Sequence, residues 1–304
     1  LIHRLQRGTF HHQHQRLQRL CWRFLQHMRI PLMTTNHPLA LVTGGSSGIG
    51  LALAKGLAQQ GYDVGMLARD LLKLDRAQQE VSTLAGREDQ KITKISCDVS
   101  NYKAVSRKLH RWTSEYGLPD LVINSAGVTY PGYFQDLDVD IFHWLMDVNY
   151  FGTLHVIKYL VPALIERGSG TIVNISSQAG FAGVFGYSGY GATKYAVRGL
   201  TDVLRAEMKP LGIRVHIVFP PDTETPQLEF EKKLKPRETK AIAGASSVLS
   251  ADAVAAAILN GIRKKKYVII PGFEGNIFYR LVGILGNLTY PVMDWLVRKA
   301  QKEK

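Results

Sequence analysis

The sequence predicts a single α/β domain built on a doubly wound parallel sheet. Three observations carry this. From residue 39 onward, short apolar runs of strand length alternate with stretches of helical apolar spacing. The segment Thr43-Gly44-Gly45-Ser46-Ser47-Gly48-Ile49-Gly50 follows the first apolar run directly and opens a helix. A β-α-β order repeated this often requires parallel strands with helices on both faces. At 304 residues the chain can bury one large core, and no solenoid-type repeat is visible.

Taken in order, residues 39–42 read as a buried strand. Residues 44–50 turn the chain into a helix that runs to about residue 60, where Gly61 stops it. Residues 64–68 are the second strand, 71–84 have helical spacing, and 92–97 are the third strand. Ser100 is placed to cap a helix reaching Tyr116. Residues 121–123 form the fourth strand, 138–165 one long helix, and 171–175 the fifth strand. The helix bearing Tyr190 and Lys194 ends near Lys209-Pro210. A sixth strand over 215–219, a helix over 251–262 and a short strand over 267–270 complete the domain.

Charge is unevenly spread. The formal net charge is +13, and residues 1–37 hold six arginines, six of the ten histidines and no acid. Two accounts of this stretch stand: a misassigned start or disordered tail ahead of Met28 or Met33, and an Arg-rich transit peptide. The run Phe10-His11-His12-Gln13-His14 has the composition of a weak metal binder, but no metal is expected in the chemistry. The basic excess lacks the aromatic interleaving or motif of a nucleic-acid binder, so nucleic acid is not an expected partner. An anionic membrane surface suits it better. Cys21 and Cys97 alone suggest no disulfide framework and fit a reducing compartment.

Tyr190 and Lys194 are four residues apart and therefore share a helix face, with Ser177 thirteen residues upstream. A free phenol titrates near pH ~10. A neighbouring ammonium favours the phenolate, so Lys194 is expected to lower the Tyr190 pKa. Ser177, coming off the fifth strand, is placed to hold a substrate oxygen. The glycine segment lets backbone approach a pyrophosphate, and the helix behind it offers free N–H groups to the anion. The second strand ends at Ala68-Arg69 instead of at an acid, which favours a 2′-phosphate and hence NADP, with Lys73 one turn on as a second cation. Asp70 stands where it can neutralise Arg69.

These residues resemble the short-chain dehydrogenase/reductase family in its single-domain, Rossmann-type form. The pattern TGxxxGxG, NxAG, Asn, Ser and YxxxK is matched by Thr43 to Gly50, Asn124-Ser125-Ala126-Gly127, Asn149, Ser177 and Tyr190/Lys194, over about residues 39–270. Ser125 departs from the usual second Asn. The resemblance implies a catalytic set of Asn149, Ser177, Tyr190 and Lys194, with Asn149 relaying water to the lysine. It implies cofactor contacts from Gly44, Ser46, Ser47, Gly48, Ile49, Arg69, Lys73, Asp98, Val99, Asn124, Ala126, Gly127, Tyr190, Lys194, Pro220 and Thr223. Asp98 would meet the adenine. Family members usually pair through the helices around Asn149 and Tyr190, so a homodimer or tetramer is implied.

After the sixth strand this chain has Pro220-Pro221-Asp222-Thr223-Glu224-Thr225-Pro226 where the family usually has Pro-Gly. That block, Lys235-Pro236-Arg237-Glu238-Thr239, Ser176-Ser177-Gln178-Ala179-Gly180 and Gly186-Tyr187 are similar to the 3-ketodihydrosphingosine reductases. The implied reaction is NADPH-dependent reduction of a long-chain sphingoid ketone. Another lipophilic carbonyl or alcohol (steroid, retinoid or 3-oxoacyl) is the rival within the class, and an NADP-binding sensor without chemistry the rival outside it. Residues 281–293 carry no charge, are too short to span a bilayer, and are interrupted by Pro291. With Tyr279, Tyr290, Trp295 and the trailing Lys and Arg residues they read either as an interfacial element or as a helix packed on its own domain or a partner. The organisation expected is therefore an extension over 1–37, the domain over 38–272 and a membrane-associating segment over 273–304. The expected location is the cytoplasmic face of a membrane, that of the endoplasmic reticulum in a eukaryote.

Overall fold

A computed structural model describes residues 37–243 and 248–302. The expectations for residues 1–36 lie outside the described residues. The sheet contains β1 (Leu39–Thr43), β2 (Asp63–Ala68), β3 (Ile92–Ser96), β4 (Leu121–Asn124), β5 (Gly170–Ile175), β6 (Ile213–Val218) and β9 (Val268–Ile269). Their order is β3-β2-β1-β4-β5-β6-β9, and every pairing is parallel. Leaving β1, the chain first winds outward to β3 and then crosses back to β4. The crevice at that reversal, outside the carboxyl ends of β1 and β4, is where such sheets bind ligands.

Every residue of β1 is buried, as a strand covered on both faces demands. Alternate residues feed opposite cores: Leu39 and Leu41 join one cluster, Ala40 and Val42 the other. The first core lies under α3 (Tyr102–Tyr116), α5 (Gly152–Arg167) and α6 (Ser188–Met208); the second under α1 (Gly48–Gln59), α2 (Leu71–Ser82) and α9 (Ala251–Arg263). Gly65 in β2 makes room for Trp112, whose ring would lie 2.3 Å from an added Cβ. The indole Nε1 then donates to Thr93 at 2.9 Å.

Several expectations are corrected. The cap of α3 is Asn101, which accepts from the Ala104 N–H; Ser100 instead donates to Asp98. The long helix over 138–165 is not one regular helix. It consists of α4 (Val139–Met146), a π-helical turn (Asp147–Phe151) and α5. This 29-residue run is apolar and long enough to cross a membrane, but more than half of its most apolar stretch is buried inside the domain. It is a core helix. The Pro-rich block continues into a two-residue strand, β7 (Thr223–Glu224), which pairs with β8 (Leu249–Ser250), and then into α7 (Pro226–Leu234) and α8 (Arg237–Ala243). No helix was expected there.

The C-terminal segment forms α10 (Phe273–Leu285) and α11 (Thr289–Lys302). The break falls at Gly286, at φ +52°, and not at Pro291. Pro291 sits in the first turn of α11, where a missing N–H costs no helical bond. One face of α10 packs Phe278, Tyr279 and Val282 on Phe181 and Phe219. The other leaves Phe273, Ile277, Leu281 and Ile284 exposed.

Candidate active site

The glycine loop is built by close approach of backbone. Gly44 has φ +68°, and a Cβ there would lie 2.9 Å from Ala126 main chain; a Cβ on Gly50 would lie 2.3 Å from the Gly44 carbonyl oxygen. Thr43 locks the loop to the next one, its Oγ1 accepting from the N–H groups of Ser125 and Ala126 at 3.1 Å each. The first amides of α1 have no intrahelical acceptor, as at any helix start. The Ser47 hydroxyl makes no capping bond to them. A pyrophosphate fits this cradle of bare N–H groups and small side chains.

Arg69 directly follows β2, exposed and without a carboxylate partner among the described residues. Asp70 does not neutralise it. Its carboxylate caps α2 by accepting from the Lys73 N–H at 3.1 Å, and it faces the Lys73 ammonium at 3.9 Å. Lys73 is thus partly engaged, while the Arg69 fork is open to an anion. Asp98 is held by the Ser100 N–H and hydroxyl, at 2.9 and 2.8 Å. The Val99 side chain packs on Gly152 and its carbonyl meets the His155 ring. Asn124 is buried and its side chain faces the sheet, donating to Asn174, which donates in turn to Thr201. That side chain ties β4 to β5 and α6.

Gly127, Asn149 and Lys194 come together. A Cβ on Gly127 would lie 3.3 Å from Asn149 Oδ1 and 3.5 Å from Lys194 Nζ. Asn149 lies in the π turn. Its Oδ1 accepts from the Val128 N–H at 2.8 Å, and its Nδ2 donates to the Val128 carbonyl and to Thr193, both at 2.9 Å. The side chain braces the loop after β4, and Lys194 Nζ donates directly to the Ile175 carbonyl at 3.1 Å.

Tyr190 and Lys194 are both buried on α6, with the ammonium 5.4 Å from the centre of the phenol ring. Ser177 leaves β5 as the N-cap of a short turn over Gln178–Gly180, its Oγ accepting from the Ala179 N–H. Ser176 is buried and its hydroxyl donates to the Lys194 carbonyl at 2.9 Å. Burial lowers Lys194 to about 8. The expected lowering of Tyr190 is not found. Burial first, then the negative charge of Glu231, push the phenol well above its ordinary value, and polar contacts from Ser177 and Gln227 only partly offset this. The lysine faces the ring, a cation–π geometry, while the negative charge of Glu231 acts against it on the phenol.

That carboxylate belongs to a group missed from sequence. Glu231 is buried and accepts from the Tyr187 hydroxyl at 2.5 Å and from Gln227 at 3.3 Å. Lys235 Nζ lies 3.6 Å from Glu231 and 2.7 Å from Asp222. The rings of Tyr187 and Tyr190 meet at a tilt of 55°, with centres 5.6 Å apart. A signal was present: Gln227, Glu231 and Lys235 are spaced by four and so lie along one helix face. Thr223 and Pro220 anchor the same block, the Thr223 hydroxyl donating to the Pro221 carbonyl and the Pro220 carbonyl accepting from the Gln178 N–H. The block reaches the glycine loop, where Thr225 would lie 2.9 Å from a Cβ on Gly48.

A family model described as short chain dehydrogenase matches residues 38–235. The chain belongs to the short-chain dehydrogenase family. As a member it is an oxidoreductase that exchanges hydride between a nicotinamide dinucleotide and a ketone or alcohol. Similar curated proteins include a 3-dehydrosphinganine reductase of Danio rerio, 38% identical over 82% of this chain and 75% of that protein. A 3-ketodihydrosphingosine reductase of Bos taurus is 38% identical over 87% of this chain and 82% of that protein. Among solved structures, a short-chain dehydrogenase from Sphingobium yanoikuyae in complex with NADPH superposes with a TM-score of 0.70 at 27% identity, covering 84% of this chain and 95% of that one.

Proposed function

We propose that this short-chain dehydrogenase reduces 3-ketodihydrosphingosine to dihydrosphingosine with NADPH. The observation that carries the reading is a buried Tyr190 that contacts Ser177 and has the Lys194 ammonium 5.4 Å from its ring centre. When bound, the cofactor supplies hydride to the ketone carbon. Ser177 orients the ketone oxygen, and Tyr190 donates its proton there. A phenol held above its usual range keeps its proton at neutral pH but is a weaker acid than a free tyrosine, so positive charge has to lower it for efficient donation. Lys194 adds positive charge on the ring side. The relatives' names support the substrate, and the open Arg69 fork supports NADPH over NADH. The test is NADPH oxidation by the purified protein with the sphingoid ketone, against steroid, retinoid and 3-oxoacyl carbonyls. The sphingoid ketone should give the highest kcat/KM; a steroid or acyl ketone turned over better would replace the reading. Arg69→Ala should raise the KM for NADPH roughly 10- to 100-fold, the size of a charge-assisted contact, and leave that for NADH nearly unchanged.

The same reading extends to location. The exposed Phe273, Ile277, Leu281 and Ile284 of α10, with Tyr290 and Trp295 of α11, support residues 273–304 as an interfacial element on the cytoplasmic face of a membrane. Ile284→Glu should weaken binding to anionic lipid vesicles in a flotation assay, and unchanged flotation would count against it. A homodimer or tetramer remains part of the proposal, checked by light scattering.

A further inference from the structure

The cluster beside Tyr190 has an unbalanced charge. Two carboxylates, Asp222 and Glu231, share the single ammonium of Lys235. Among the described residues no second Lys or Arg pairs with either of them. Glu231 is 5% exposed, and burying a net negative charge is costly unless a cation answers it. The cluster also touches the reacting group. Gln227, half-buried, contacts both the Tyr190 phenol and the Glu231 carboxylate, so one amide side chain separates the proton donor from the acid. Phe230, the neighbour of Glu231 in sequence, is exposed and meets Tyr130 edge-on, with 6.1 Å between ring centres.

A ketone whose adjacent carbon bears an ammonium matches this layout. With its oxygen at Tyr190 and Ser177, the ammonium is two bonds from the reacting carbon and falls within reach of groups a few ångströms from the phenol. We propose that Glu231, positioned by Tyr187 and Gln227 and assisted by Asp222, is the specificity-determining residue that reads the α-ammonium of an α-amino ketone substrate. This inference rests on the sphingoid-ketone reading above and deepens it: it assigns the recognition of the amine, as distinct from the alkyl chain, to α7. Burial raises Glu231 above the usual carboxylate range, and an adjacent cation favours its ionised form.

The test compares a long-chain 2-amino-3-ketone with the same ketone lacking the amine, both with NADPH and the full chain. The wild type should prefer the amino ketone by roughly 10- to 100-fold in kcat/KM, as for a hydrogen bond to a charged group. Glu231→Gln should compress that preference by about tenfold, mainly through KM for the amino ketone. In parallel, calorimetry should show the product amino alcohol binding the NADP-loaded wild type more tightly than the des-amino alcohol. Equal losses on both ketones in the variant would make Glu231 a structural brace and overturn the inference. Equal turnover of both ketones by the wild type would also overturn it. If Glu231→Gln does not fold, Glu231→Asp, which keeps the charge but draws it back, should compress the preference through KM for the amino ketone alone, and equal losses on both ketones would overturn the inference. Failure of the wild type to reduce the amino ketone at all is a different outcome: it removes the sphingoid reading and this inference with it.

Discussion

The two ends of the crevice are made of opposite materials. On the β1–β3 side the site is backbone: Gly44, Gly48 and Gly50 are bare because a Cβ at each would strike a neighbour at 2.9 Å or closer. On the β5–β6 side it is buried ionisable side chains: Tyr190, Lys194, Glu231 and Lys235. The first end acts by leaving room and presenting amides, the second by setting proton affinities against one another. The first should therefore fail through packing and the second through protonation.

The largest effect expected is on the charged end. Tyr190→Phe should lower kcat by roughly 10²- to 10⁴-fold while NADPH binding, followed by fluorescence titration, is nearly retained. Equal loss of both would erase the distinction between the two ends. Next is the pH profile. With Lys194 lowered to about 8, its ammonium is present below that pH and lost above it. The rate should decline as pH rises through about 8, and Lys194→Arg, which stays charged, should flatten that limb. On the backbone end, Gly50→Ala should destabilise by about 1–3 kcal/mol through overpacking, read as a lower midpoint in urea together with weaker NADPH binding. The smallest effect serves as the control. Asn101→Ala removes the α3 cap without touching Ser177, Tyr190 or Lys194, and should cost about 1 kcal/mol with kcat unchanged.

The same contrast explains what could be read without coordinates. The glycine loop, Ser177, Tyr190 and Lys194 were legible because each depends on residue type at short spacing within one strand–turn–helix unit. The pKa of Tyr190 was not, because its sign depends on a carboxylate forty-one positions later, brought in by α7. In QLEFEKKL the charges look like a solvated face; only the fold turns Glu231 inward over Tyr187. Asp70 was misjudged for a related reason. Its sequence neighbour Arg69 suggested a pair, but a helix start engages an aspartate more effectively through the N–H three residues on. Arg69 shows the converse, a residue placed just past a strand end by local pattern alone.

The π turn at Asp147–Phe151 has a consequence of its own. One surplus residue in a helix delays every later side chain by about 100° around the axis. Val148 and Asn149 can thus point inward together, and the apolar stripe of α5 restarts in a new phase to meet the core with Val156, Leu160 and Leu164. Excising one residue there would restore an ordinary winding and, by doing so, swing the whole following helix out of phase with the sheet it covers.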